Sequence, residues 1–290
     1  MDGRDKRRLH HNTSGLMRRL RLQMMAGGVI TPLLLDLYPN AAAAYSLRKL
    51  RNLYTGNAIR VRRSGDNAEQ DIGFVAGNLD TAALASFCGA GNGFVTTFYD
   101  QSGNGYDALQ TSATNQPQIV NSGSIITENG DPFVSYTGIN KQLKTTSSFS
   151  ISSPLQVFFV AKNTRAISDF PYYFDFQTNR AICYYANDVI PAGLSIANGT
   201  QINSGDTSLS LALFNTLFNG ASSSIHKNGS LLISGNAGSN GASGILFLGT
   251  RNNNIQNITG GFQEFILYPS DQSSNRIGIE NNITTYYGIP

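Results

Sequence analysis

Hydrophobic and polar positions change their rhythm once along this chain. From Phe94 onward the apolar residues fall in short runs and alternations with a period of two. The strongest are Phe94-Val95-Thr96-Thr97-Phe98-Tyr99, Leu155 to Ala161, Leu209 to Phe214, Ile245 to Leu248 and Phe262 to Tyr268. Such β-branched and aromatic runs predict strands. Before Phe94 the picture is mixed. Ile59-Arg60-Val61-Arg62 alternates as a half-exposed strand does. Asn40 is placed to cap a helix through Ala41–Leu50 that ends near Gly56, and Asp80 to cap a shorter one through Ala82-Ala83-Leu84, closed by Gly89. Asn228-Gly229 sits between His226-Lys227 and Ser230-Leu231 and predicts a hairpin, because these two residues accept the positive φ angles of a type I′ turn. A last helix is expected between Asp271 and Tyr287, ending at Gly288. Many strands with such turns and few short helices predict a mainly β, two-sheet sandwich.

Composition supports that class. Only 13% of the 290 residues are charged, 30 are glycine, none is tryptophan, and 13 Tyr with 16 Phe supply ample burial. Charge is unevenly spread. Arg4, Lys6, Arg7, Arg8, Arg18, Arg19 and Arg21 face only Asp2 and Asp5 within residues 1–28, while the remainder is slightly acidic. The expected organisation is a basic, extended anchoring arm over 1–28 and a sandwich over 29–290. Such an arm suits an acidic partner through charge alone and carries no motif for reading nucleic-acid sequence. Val29 to Leu35 follows it as an apolar stretch, but Gly27-Gly28 and Pro32 interrupt it, and Ala41–Ala44 read as helix rather than cleavage site. No run approaches the roughly 20 apolar residues of a membrane span.

Individual residues narrow the chemistry. Cys88 and Cys183 are expected as buried free thiols. Tyr172-Tyr173 and Tyr184-Tyr185 concentrate aromatic rings that could stack on sugar, although alternation would send one of each pair into the core. Arg251-Asn252-Asn253-Asn254 forms a polar loop between two strong strands. Asp100 and Ser102 are expected to fix a turn rather than to catalyse. Asp100 with Asp107 lacks a calcium-loop spacing, and His226 and His10-His11 lack metal-ligand partners. No glycine-rich phosphate loop precedes a helix, and no cofactor is expected.

Three segments carry a resemblance. Leu53-Tyr54-Thr55-Gly56 through Arg60–Asp66 to Asp71-Ile72, then Tyr99-Asp100-Gln101-Ser102-Gly103-Asn104-Gly105, then Gly261-Phe262 to Tyr268-Pro269-Ser270-Asp271 resemble the catalytic domain of family 54 α-L-arabinofuranosidases. The resemblance spans about residues 45–287. It implies a concanavalin A-like jelly roll, also seen in laminin-G-like lectin modules. It also implies where a glycosidase would keep its two carboxyl groups, about 5–5.5 Å apart in a retaining enzyme. The family's Leu-Glu-Asn-Gly motif aligns with Ile196-Ala197-Asn198-Gly199, and a preceding pocket aspartate with Ser195. Its acid/base motif aligns with Leu248-Gly249-Thr250-Arg251-Asn252, which puts Asn253 at the acid/base position. Its cysteine pair before Phe-Asp-Tyr aligns with Tyr172-Tyr173-Phe174-Asp175-Phe176. Asp175, Asp188 and Asp206 are the carboxylates near enough in sequence to replace the pair.

On that alignment the expectation is a chain that is not an enzyme: a lectin-like structural module of a phage particle, as capsid decoration or tail fibre. Candidate carbohydrate-binding residues are Tyr172, Tyr173, Asp175, Ser195, Asn198, Arg251, Asn252 and Asn253. Arg4, Lys6, Arg7, Arg8, Arg18, Arg19 and Arg21 would anchor the arm on other virion proteins. Host or environmental glycans, and further copies of the chain pairing at open strand edges, are the other expected partners. The alternatives are an arabinofuranosidase-like glycoside hydrolase and a secreted adhesin.

Overall fold

The computed structural model describes residues 31–253 and 255–290, and Leu33–Pro290 forms one compact unit. The arm and its seven basic residues lie outside the described residues. All ladders between named strands are antiparallel. They build two layers. The first runs in the order Ala43–Ser46, Gly260–Tyr268, Leu155–Asn163, Ala212–Phe218, Ser223–Lys227, Ser230–Gly235. In the second, Glu69–Ile72, Ile59–Arg63 and Gly93–Phe98 lead through Ala108–Leu109 and Leu143–Thr145 to Leu246–Leu248. Tyr172–Phe176, Ile182–Ala186, Gly193–Ala197 and Gln201–Asn203 complete it. Gln118–Asn121 pairs with Gly93–Phe98 of the second layer, and Val134–Ser135 pairs with both it and Gly260–Tyr268 of the first, joining the two.

The sandwich core lies between the layers. Phe159 packs against Tyr173, Phe174, Phe214, Phe262 and Phe265, with ring centres 5.2–6.3 Å apart. Two smaller apolar groups cover the outer faces. Outside the first layer, Ile279, Ile283 and Tyr287 of the Arg276–Tyr287 helix close over Ala44, Phe158, Val160 and Ile266. Outside the second, Tyr172, Ile182, Tyr184 and Ala186 cluster by themselves.

Most predicted elements are present. Asp80 accepts the Ala83 N–H at 2.9 Å to cap the Thr81–Cys88 helix, which ends at Gly89. Asn228 and Gly229 take φ of 48° and 79° in the hairpin. The closing helix stops at Gly288 with φ 59°. Both thiols are free and buried.

The helix expected over Ala41–Leu50 is not there. Ala43–Ser46 is instead a strand against Gly260–Tyr268, and Asn40 sits at φ 70° rather than as a cap. Helix propensity loses to burial on both faces: Ala43 and Tyr45 enter the sandwich core while Ala44 faces the closing helix. The alanine run therefore no longer argues for a helix after the apolar stretch. The strand expected at Leu209–Phe214 begins later, at Ala212, and continues to Phe218.

The Tyr99–Gly105 block explains how this strand keeps its register. Its free edge is closed by Asp100, whose Oδ1 accepts the Ala44 N–H at 2.8 Å, and by the Gln101 N–H, which donates to the Ala44 carbonyl at 2.8 Å. The buried Gln101 side chain accepts from Leu50 N and donates to the Ser46 and Arg48 carbonyls. Asp100 and Ser102 thus do the turn-fixing work expected of them.

Candidate functional site

Three separated stretches of sequence meet on the outer face of the second layer. The register pairs Tyr172 with Tyr184, Tyr184 with Ser195, and Ile182 with Ala197, so all five share that face. A bulge between Tyr172 and Phe174 turns both Tyr173 and Phe174 into the core and returns Asp175 to the side of Tyr172. The rings of Tyr172 and Tyr184 stack at 4.7 Å and 16°.

The loop from Gly249 to Asn257 folds back along Tyr172, whose N–H donates to the Gln256 carbonyl at 3.0 Å. Asp175 ties this loop down. Its Oδ2 accepts the Asn252 N–H at 2.9 Å, and its two oxygens accept Nε and Nη2 of Arg180 at 2.8 and 2.7 Å. Arg180 and Arg251 both approach the Tyr172 ring, their guanidinium carbons 5.9 and 5.7 Å from its centre. Burial pushes the Tyr172 and Tyr184 phenols up, against the pull of these two cations.

The expected binding residues divide sharply. Tyr173 is a correction: it lies wholly in the core, as does Tyr185. Asp175, Ser195 and Asn198 are also fully buried and are occupied by protein partners. Ser195 Oγ accepts from Gln201 Nε2 at 3.2 Å. Asn198 takes the Gly241 N–H and donates to the carbonyls of Gly241 and Arg180. These three shape the face without presenting a free polar group to a ligand. Tyr172 is buried beneath the loop, Arg251 and Asn252 are half-buried, and only Asn253 is fully exposed. Asp206 is elsewhere: it pairs with Lys227 at 2.9 Å, and its charge acts on the inward Tyr173 and Tyr185. Asp188 is exposed in the turn after Ile182–Ala186, where its charge acts on Tyr184.

Sequence reading missed Arg180. The available signal was an aspartate on a strand followed five residues later by an arginine, across a tight turn that brings the two back together. The cavities of 250 and 510 Å³ that share Asn40, Ala41 and Asn104 are lined by none of these residues. Among the described residues no cluster of three His, Cys, Asp or Glu side chains could hold a metal.

With this geometry in hand, similarity to known proteins becomes informative. Residues 36–148 match the family model described as Alpha-L-arabinofuranosidase B, catalytic. That segment holds the Asp100–Gln101–Ser102 turn and the edge strand it fixes. Solved structures agree over more of the chain. An arabinofuranosidase complexed with arabinofuranosyl-α-1,2-xylobiose is 19% identical, with 84% of this chain and 62% of that one covered at a TM-score of 0.62. A GH54 α-L-arabinofuranosidase soaked with a cyclic sulfate inhibitor gives the same values. A variant of such an enzyme soaked with 4-nitrophenyl α-L-arabinofuranoside is 21% identical at a TM-score of 0.61. At this identity the likeness establishes the fold, and the chain spans 62% of the length of these structures. No curated protein matches.

These matches overturn the expectation that the chain is not an enzyme. The model matched over residues 36–148 is that of a catalytic domain, and the solved arabinofuranosidases share the fold of this chain. The expectation rested on two short motifs read by alignment alone. In the structure Ala197 pairs with Ile182 on this face, and Asn253 is exposed in the loop after Gly249.

Proposed function

We propose that this chain is a glycoside-hydrolase domain that takes a terminal α-L-arabinofuranosyl group on the face around Tyr172 and Tyr184. The observation that carries the reading is convergence. Segments 172–176, 195–198 and 249–253, which the sequence resemblance aligns with pocket motifs of arabinofuranosidases, are joined by the Asp175–Asn252 hydrogen bond and, through the Arg180–Asp175 pair, by the Asn198–Arg180 hydrogen bond. The fold likeness to solved arabinofuranosidases supports the same sugar class.

Hydrolysis of a glycosidic bond asks for one carboxyl group to stabilise or attack the anomeric carbon and one to protonate the leaving oxygen. On this face the carboxylates are Asp175 and Asp188. Asp175 is fully buried and held by Arg180, which suits it to positioning the guanidinium and the Asn252 loop. Asp188 is the accessible one and is assigned to protonate the leaving oxygen, while water attacks the anomeric carbon and gives up its proton to the resulting carboxylate. The phenol hydroxyls of Tyr172 and Tyr184 would meet sugar hydroxyls at the rim.

The test is release of 4-nitrophenol from 4-nitrophenyl α-L-arabinofuranoside, with calorimetry of an arabinofuranosyl oligosaccharide alongside. Turnover by the wild type, reduced by about a hundredfold in Asp188→Asn, is the expected result. Neither turnover nor binding would sink the reading.

The setting is a separate proposal that rests on the charge of residues 1–28. There the arm docks on acidic particle proteins and the body meets glycans, in many copies. Deleting 1–28 should abolish incorporation into the parent assembly; unchanged incorporation removes the virion reading.

A further inference from the structure

The two arginines on the sugar face are not equivalent. Arg180 is neutralised at bond distance by Asp175, both Nε and Nη2 being used. Arg251 forms no ion pair among the described residues. Its Nη1 donates to the neutral Gln256 Oε1 at 2.9 Å, and its Nε is buried without a partner. Both guanidinium groups lie within 6 Å of the centre of the same Tyr172 ring. A guanidinium that stays charged and finds no carboxylate is costly when half-buried. The face answers this cost in part through the aromatic ring below it. Asp188, exposed in the adjoining turn, is the other acidic group nearby, and its charge is felt at Tyr184.

The neighbouring Arg180–Asp175 pair shows what a guanidinium here accepts: a planar carboxylate, held by two parallel hydrogen bonds. Arg251 has no such carboxylate among the described residues, and its one hydrogen-bond acceptor there is the neutral Gln256 Oε1. Arg251 lies one residue before Asn252, whose backbone is pinned to Asp175, so its position is held by the loop together with the Gln256 side chain. A neutral furanoside would leave this charge unanswered. A sugar bearing a carboxylate would not.

We infer that Arg251, beside the Arg180–Asp175 pair, recognises the carboxylate of a uronic-acid residue, so that the substrate is an acidic oligosaccharide. This deepens the proposed function and rests on it for the location of the sugar. Arginine suits the task because its guanidinium stays charged at any working pH.

The experiment is calorimetric titration of the full chain with a glucuronosyl xylo-oligosaccharide and with the same compound after its carboxyl is reduced to an alcohol. The wild type is expected to bind the acid at least tenfold more tightly than the reduced form, with the preference shrinking at high salt. Arg251→Gln should bring the ratio of the two affinities to about one, and Arg251→Lys should restore part of it. Circular dichroism confirms that each variant is folded. Equal affinity of the wild type for acid and reduced sugar overturns the inference, as does a ratio unmoved by Arg251→Gln. If the neutral arabinofuranoside is turned over without any acid preference, this inference alone falls. If acid preference is found while the arabinofuranoside is neither bound nor cleaved, the inference stands and the furanoside assignment falls.

Discussion

Asp175 and Arg180 form a bidentate pair in which the carboxylate is fully buried and the guanidinium remains about one-third exposed. The same carboxylate holds the Asn252 N–H, so one side chain sets both the hairpin after Phe176 and the loop after Gly249. Removing a single partner from such a pair strands the other charge. Asp175→Asn should therefore lower unfolding free energy by about 3 kcal/mol, read from urea titration. It should also loosen the Asn252 loop, seen as faster hydrogen exchange at the Asn252 amide. A loss below about 0.5 kcal/mol would mean that solvent at Arg180 already screens the pair.

The Asp100 carboxylate does comparable work at the edge of the first layer. It accepts the N–H groups of Ala44, Ser102 and Tyr106 and the Ser102 hydroxyl, at 2.7–3.1 Å. Ala44 is completely buried, so its amide has no water to turn to. Asp100→Ala is expected to cost about 3 kcal/mol, and Gln101→Ala a similar amount because three backbone groups lose their partner. Neither change should alter sugar affinity of the protein that remains folded, since the side-chain partners of both residues lie in Ala44–Leu50 and Ser102–Tyr106 and not on the Tyr172 face. An affinity change in a folded variant would contradict this purely structural role.

What could be read in advance follows from how local each signal is. The turn at Asn228-Gly229, the cap at Asp80 and the stop at Gly288 are decided by two or three adjacent residues, and each was legible. The role of Asp100 was legible for the same reason. Ala41–Leu50 was misread because alanine is favoured in helices, whereas here its small side chain lets a strand be buried on both faces. That outcome depends on Gly260–Tyr268, more than two hundred residues away. Tyr173 was misassigned for a related reason. A bulge between Tyr172 and Phe174 places two successive side chains in the core, and simple alternation does not foresee it. Arg180 was invisible as a site residue until Asp175 was seen to be buried beside it.

Gly249 offers a test of how the sugar-face loop is launched. Its φ of 81° lies in the left-handed region, and a Cβ there would come within 2.3 Å of the Tyr136 ring. That ring is fully buried and cannot move aside freely. Gly249→Ala thus combines backbone strain with a steric clash, and should destabilise by about 2–4 kcal/mol. The loop it begins carries Arg251, so acid-sugar affinity should fall in the folded fraction as well. Full stability in urea would show that the turn before Arg251 can be rebuilt without glycine.

Acid should weaken the fold through His226. Burial and the nearby Arg276 push its imidazole down from the usual 6.5 to about 4, and its Nδ1 is buried without a partner. The folded state therefore favours the neutral ring, while the unfolded chain takes up a proton near 6.5. Stability contributed by the neutral form is complete above that value. It is lost progressively as pH falls from 6.5 towards 4, and changes no further below. Because the side chain is only partly buried, screening by solvent brings the expected loss to about 1 kcal/mol. Thermal midpoints of the wild type and His226→Gln, measured between pH 7 and pH 4, check this. The wild type should lose more stability across that window than the variant, and identical pH profiles would place the acid sensitivity on other groups, of which the buried, upward-shifted Glu280 would act in the opposite direction.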